Sequence, residues 1–208
     1  MLKPFLFIFS FVLISTLFSC SEVQAKTIVS STININQGWE FKREHVELTS
    51  DVKSELNSEL AINEWQSVNL PHTPKIEPLV VNNQWQGISW YKKEFNLPDV
   101  MKNKKLFFKF EGAMNIAEVW VNNKKMVKHQ GGYLPFVIDF TDIAQFDNKN
   151  TISVKLNNKD NPITGPKPLK KLDFNTYGGI YRNVWLIAKN KLHITDPIFA
   201  NKTASGGV

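Results

Sequence analysis

The sequence predicts an all-β fold, a sandwich of two antiparallel sheets. Three observations carry that expectation. About ten short segments alternate apolar and polar residues and are separated by Gly, Pro and Asn turn signals. The chain is rich in rings, with six Trp and fifteen Phe among 208 residues, and aromatic side chains suit strands. No stretch of the chain makes a convincing long helix. At 42% apolar content the chain is long enough for one domain with its own core.

The N-terminus reads as an address. One Lys precedes a run of apolar residues from Phe5 to Phe18, the length of a signal-peptide core and too short to span a bilayer comfortably. Two exits compete. Leu17-Phe18-Ser19-Cys20 resembles a bacterial lipobox, which would make Cys20 the lipidated first residue. Val23-Gln24-Ala25 fits ordinary signal peptidase, with cleavage before Lys26. The position of the sole cysteine directly after the apolar run favours the lipobox. Either exit takes the chain out of the cytoplasm, to the periplasm or the outer membrane and cell surface, and lipid on Cys20 would tether it to a membrane without a spanning helix. Residues 1–25 are therefore set apart from the fold.

In the mature chain, Thr27 to Ile35 reads as a first strand. In Gly38-Trp39-Glu40-Phe41, Trp39 and Phe41 share one face by period two. Glu44 to Asn63 is polar with Leu48, Val52, Leu56 and Leu60 at spacings of four, a short amphipathic helix or an ordered loop. Trp65 to Leu70 is a strand ended by Pro71, and His72 in the following loop is read as satisfied by backbone groups. Residues 74–87 form a long loop, and long ordered loops often carry function. Asn82, Gln84 and Trp85 within it are residue types that suit sugars, amides for hydroxyls and an indole for the ring face.

Ile88 to Leu97 is a strand closed by Pro98. Lys105 to Glu111 follows, with Leu106, Phe108 and Phe110 on one face and Lys109 and Glu111 on the other. Ile116 to Val121 sets Ala117, Val119 and Val121 opposite Glu118 and Trp120. Asn122-Asn123 is a tight hairpin turn, since Asn tolerates positive φ, and Met126 to His129 is the return strand. Phe136 to Phe140, Asn150 to Asn157 and Val184 to Ala188 are further strands. Gly178-Gly179 permits a sharp turn just before the last of these, so the polar cluster from Asp173 to Thr176 precedes a rigid mount.

The formal net charge is +6, but the charges are scattered and no basic run is interleaved with aromatics, which disfavours nucleic acid as a partner. Charge alone does not support affinity for acidic glycans. One cysteine excludes an intramolecular disulfide, and four scattered histidines give no zinc-type spacing. No metal or other cofactor is expected.

Several motifs resemble one family. Trp65-Gln66-Ser67-Val68-Asn69-Leu70-Pro71-His72-Thr73, the segment FEGAMNIAEVWVNNKKMVKHQGGYLPFVIDFT over 110–141 and DFNTYGGIYRNV over 173–184 resemble, in that order, the N-terminal sugar-binding domain of glycoside hydrolase family 2. That family includes β-galactosidases, β-glucuronidases and β-mannosidases. Asn123 stands where the family usually has Gly. The resemblance covers roughly 36–190 and refines the sandwich to a jelly roll of the galactose-binding type. It implies a sugar-binding domain over 26–190, with 191–208 beginning a following segment.

The resemblance also implies a site. In the family, an aspartate nine positions before the arginine of G-I-Y-R helps hold the terminal sugar. Asp173 stands nine before Arg182, and a carboxylate can accept bonds from two hydroxyls. Asn175, Asn82 and Trp85 are further candidate sugar contacts, and Arg182 is read as an anchor of the turn. Retaining hydrolysis needs two carboxyl groups about 5 Å apart. In the family both glutamates lie in a downstream barrel, so no catalytic residue is assigned here. Glu111 and Glu118 read as outward-facing charges. The expected partners are the terminal sugar of an oligo- or polysaccharide and downstream immunoglobulin-like and barrel domains. A free-standing, non-catalytic carbohydrate-binding module is the competing reading.

Overall fold

The computed structural model describes residues 30–44, 64–81, 83–164 and 172–203. The leader with Cys20, the polar stretch 45–63 and Asn82 lie outside the described residues. The expected all-β sandwich is what the chain forms. Ten strands are ordered along it: β1 Ser30–Asn34, β2 Trp39–Arg43, β3 Gln66–Val68, β4 Ile88–Phe95, β5 Lys105–Phe110, β6 Ile116–Val121, β7 Lys124–Gln130, β8 Phe136–Asp139, β9 Asn150–Asn157 and β10 Val184–Lys189.

Every strand pairing is antiparallel. One sheet has four strands in the order β1-β10-β5-β8, and the other has six in the order β3-β2-β4-β9-β6-β7. The longest register runs from Ile88 opposite Asn157 to Phe95 opposite Asn150. The β6–β7 hairpin turns on Asn122 and Asn123, both at positive φ (48° and 64°), which asparagine adopts more readily than most residues.

Alternation decides what lies between the sheets. Trp39, Phe41, Tyr91, Val119, Val154 and Leu156 point inward from the six-stranded sheet, and Leu106, Phe108, Phe110, Phe136 and Leu186 from the other. Phe108 stacks on Phe140 at 4.4 Å and Phe110 on Phe136 at 4.7 Å. Burying each such side chain is worth about 1.5–3 kcal/mol, so the aromatic-rich strands supply much of the core's stability.

The run Leu106-Phe107-Phe108 is buried on both faces of its sheet. Phe107 points outward and is covered by His193 and Phe199, at 5.7 and 5.4 Å. Phe199 belongs to a one-turn helix, α1 (Pro197–Ala200). Asp196 caps it by accepting the Ile198 backbone N–H at 2.9 Å, and Pro197 suits its first position because no N–H is needed there. Asp196 also pairs with Lys109 of β5 at 3.3 Å.

Candidate functional site

The segment 172–183 is held on both sides before it enters β10. At its centre Gly179 has φ +95°, and an added Cβ would collide with the His72 carbonyl oxygen and the Tyr91 hydroxyl. Only glycine meets both demands. The backbones of Gly179 and Met114 exchange two hydrogen bonds, at 2.9 and 3.3 Å, and the His72 N–H donates to the Ile180 carbonyl at 2.9 Å. Ile180 is fully buried. His72 is not satisfied by backbone groups alone: its Nδ1 lies 2.8 Å from the Tyr91 hydroxyl and its ring packs on Phe41 at 4.5 Å. Burial pulls its pKa down to about 4 and pushes that of Tyr91 up, so both stay neutral near neutral pH.

Past the turn, Glu111 faces outward as its strand position suggests, but it is tied down by two hydrogen bonds. Its carboxylate accepts from Asn183 Nδ2 at 2.9 Å and from Trp185 Nε1 at 2.8 Å. Asn183 in turn accepts from Asn36. Glu111 thus fixes the start of β10. Glu118 is outward-facing as expected, in an ion pair with Lys125 at 3.1 Å. Arg182 is exposed and lies over the Tyr181 ring at 5.5 Å.

On the other side, the loop between β3 and β4 clasps the segment. Asn175 Nδ2 donates to the Leu79 carbonyl at 2.8 Å and its Oδ1 accepts from the Val81 N–H at 3.1 Å. Gln84 Oε1 accepts from the Thr176 N–H at 2.6 Å and from its hydroxyl at 3.3 Å. The Tyr177 hydroxyl donates to the Glu77 carbonyl at 3.2 Å. Glu77 Oε1 accepts from the Trp85 N–H at 3.1 Å, and Lys75 lies 3.5 Å from its other oxygen. Gln84 is buried, and its Nε2 has no hydrogen-bond partner among the described residues.

The predicted residues therefore separate by environment. Asp173 is exposed. Asn175 is half-buried, with its amide turned to the loop backbone. Trp85 is half-buried within the clasp, its ring against Gly87 and 6.0 Å from the Arg43 guanidinium. The clasp itself, through Glu77, Gln84 and Tyr177, was missed as a unit. Its partners lie 92 to 100 residues apart, and no local pattern marks such pairs. Large apolar side chains are exposed in the same two segments: Ile76 (77%), Leu79 (75%), Val80 and Phe174. Among the described residues no group of three His, Cys, Asp or Glu is placed to hold a metal ion.

Residues 27–190 match the family described as glycosyl hydrolases family 2, sugar binding domain. A β-glucuronidase of Formosa agariphila is 33% identical over 190 residues, which is 85% of this chain and 19% of that protein. A β-galactosidase of Thermoanaerobacter pseudethanolicus is 31% identical, over 80% of this chain and 22% of that protein. Among solved structures, a Bacteroides uniformis β-glucuronidase superposes with a TM-score of 0.63 at 29% identity, covering 80% of this chain and 19% of that one. The chain thus spans about a fifth of the length of these relatives.

Proposed function

The chain belongs to glycosyl hydrolase family 2, through that family's sugar binding domain, and from this premise we propose that it holds the terminal sugar for an exported exo-glycosidase acting on β-linked sugars. The observation that carries the reading is Asp173: an exposed carboxylate on a segment fixed from both sides. An exposed carboxylate on a rigid mount can accept hydroxyl hydrogen bonds with little ordering cost. Asn175 serves it by holding the segment to the loop.

The exposed side chains of Ile76, Leu79, Val80 and Phe174 support a second part of the reading. A cluster of large apolar side chains on one end of a domain marks a surface for another domain. The same end that presents Asp173 docks against the part of the enzyme that supplies the two catalytic carboxyl groups. The relatives, about four times as long as this chain, have room for such a part. The apolar leader supports export, and Cys20 directly after it supports a lipid anchor.

The test is Asp173→Asn in the enzyme expressed from its whole reading frame. Losing a charged acceptor to a sugar hydroxyl raises KM for an aryl β-glycoside about tenfold or more, while the melting temperature stays put because Asp173 is exposed. An unchanged KM overturns the assignment.

A further inference from the structure

The outward face of the six-stranded sheet carries an unusual load of rings and cations. In one row across the strands, Lys42 of β2 stands opposite Trp90 of β4, Trp90 opposite Lys155 of β9, Lys155 opposite Glu118 of β6, and Glu118 opposite Lys128 of β7. At strand spacing this row is roughly 19 Å long. The neighbouring row places Glu40 opposite Lys92, and Trp120 opposite Lys125.

Each row holds one indole, with ammonium groups close to it. Trp90 and Trp120 stack at 5.6 Å. Lys155 lies 5.4 Å from the Trp90 ring, and Lys125 5.4 Å from Trp120. Near the β3 edge, exposed Trp65 is approached by Lys42 at 4.8 Å and by Lys92 at 5.7 Å. Three of the chain's six tryptophans therefore stand on or beside this face. Glutamates are set among the lysines: Glu40 lies 3.3 Å from Lys92, Glu118 3.1 Å from Lys125, and Glu44 accepts from Trp90 Nε1 at 2.7 Å. Lysines outnumber glutamates, so the face is positive but not uniformly so.

We propose that this face binds an acidic polysaccharide, a chain of sugar rings bearing carboxylates. Each feature has a counterpart in that ligand. Indole rings take the C–H faces of sugars, ammonium groups pair with carboxylates, and glutamates accept sugar hydroxyls. A band of charges running across five strands around two stacked indoles suits an extended polymer better than a single sugar. Single-stranded nucleic acid also stacks on rings beside cations, but its phosphates are best held by arginine. Neither arginine of the chain serves the face: Arg43 is buried, and Arg182 lies in the turn before β10. The fork-shaped side chain best suited to phosphate is therefore missing from it. The site uses no residue of the Asp173 segment and stands whether or not that segment holds sugar.

Titration calorimetry of the full chain with polygalacturonate at low salt tests the proposal. Three comparators are fully methyl-esterified polygalacturonate, polyglutamate and oligothymidylate. Binding to polygalacturonate is expected, with each comparator about tenfold weaker or more because it lacks the charge, the rings or the hydroxyls. Trp120→Ala and Lys42→Glu should each weaken polygalacturonate binding about tenfold. Lys42→Glu changes no core residue, so it decides the matter if Trp120→Ala unfolds. No binding to polygalacturonate, equal binding to polyglutamate, tighter binding to oligothymidylate, or full affinity in Lys42→Glu would each overturn the proposal.

Discussion

Gln84 accepts the Thr176 backbone N–H on its side-chain oxygen at 2.6 Å, joining two segments 92 residues apart in the chain. Thr176 is three residues beyond Asp173, so the bond helps set where that carboxylate projects. Gln84→Ala leaves the Thr176 N–H without its acceptor. The expected loss is about 1–3 kcal/mol in chemical denaturation.

Asn175 makes the second strap. Its Oδ1 receives the Val81 N–H and its Nδ2 donates to the Leu79 carbonyl. Asn175→Ala frees both backbone groups. Hydrogen exchange at the Val81 amide should then rise by about tenfold or more, while amides of β9 keep their protection.

Gly179 and Gly131 both have positive φ, but only Gly179 is crowded. A Cβ at Gly179 meets the His72 carbonyl and the Tyr91 hydroxyl, whereas nothing lies within 4 Å of one at Gly131. Gly179→Ala should cost on the order of 3 kcal/mol, about 10 °C in Tm, and Gly131→Ala distinctly less. Calorimetric melting of the two variants separates collision from backbone strain.

His72 couples this turn to pH. Burial lowers its pKa from 6.5 to about 4, so between those values the unfolded chain binds the proton and the folded chain does not. Stability from this group is complete above pH 6.5 and is lost as pH falls toward 4. Burial shifts His129 in the same direction. Urea midpoints from pH 7 to 4.5 should fall less steeply in His72→Asn, which keeps an acceptor for the Tyr91 hydroxyl but cannot be protonated.

The strands were legible because alternation is a local signal. Ala117, Val119 and Val121 are buried and Glu118 and Trp120 face outward, as period two requires. The Asn122-Asn123 turn was legible because few residues accept its φ. Phe107 was not placed by the same rule, since it is buried by Phe199 from 92 positions away. The uninterrupted run Leu106-Phe107-Phe108 was the available sign that both faces of β5 are covered. Asp196-Pro197 likewise announced a helix start that was not read. For the site, the resemblance singled out Asp173 and Asn175, but the side-chain clasp was out of reach. Gln84 meets Thr176, and Glu111 meets Trp185, only because the fold brings distant loops and strands together. The outward Trp and Lys rows needed the strand register before they formed a surface.

The most direct measurement is the intact mass of the native protein, detected with an antibody to this domain, in membrane and periplasmic fractions of the source cell. A sugar-holding domain of an exo-glycosidase should appear in a polypeptide several times heavier than 23.9 kDa that hydrolyses an aryl β-glycoside. A species no heavier than 23.9 kDa, without hydrolytic activity, would contradict the account and leave glycan binding as the function.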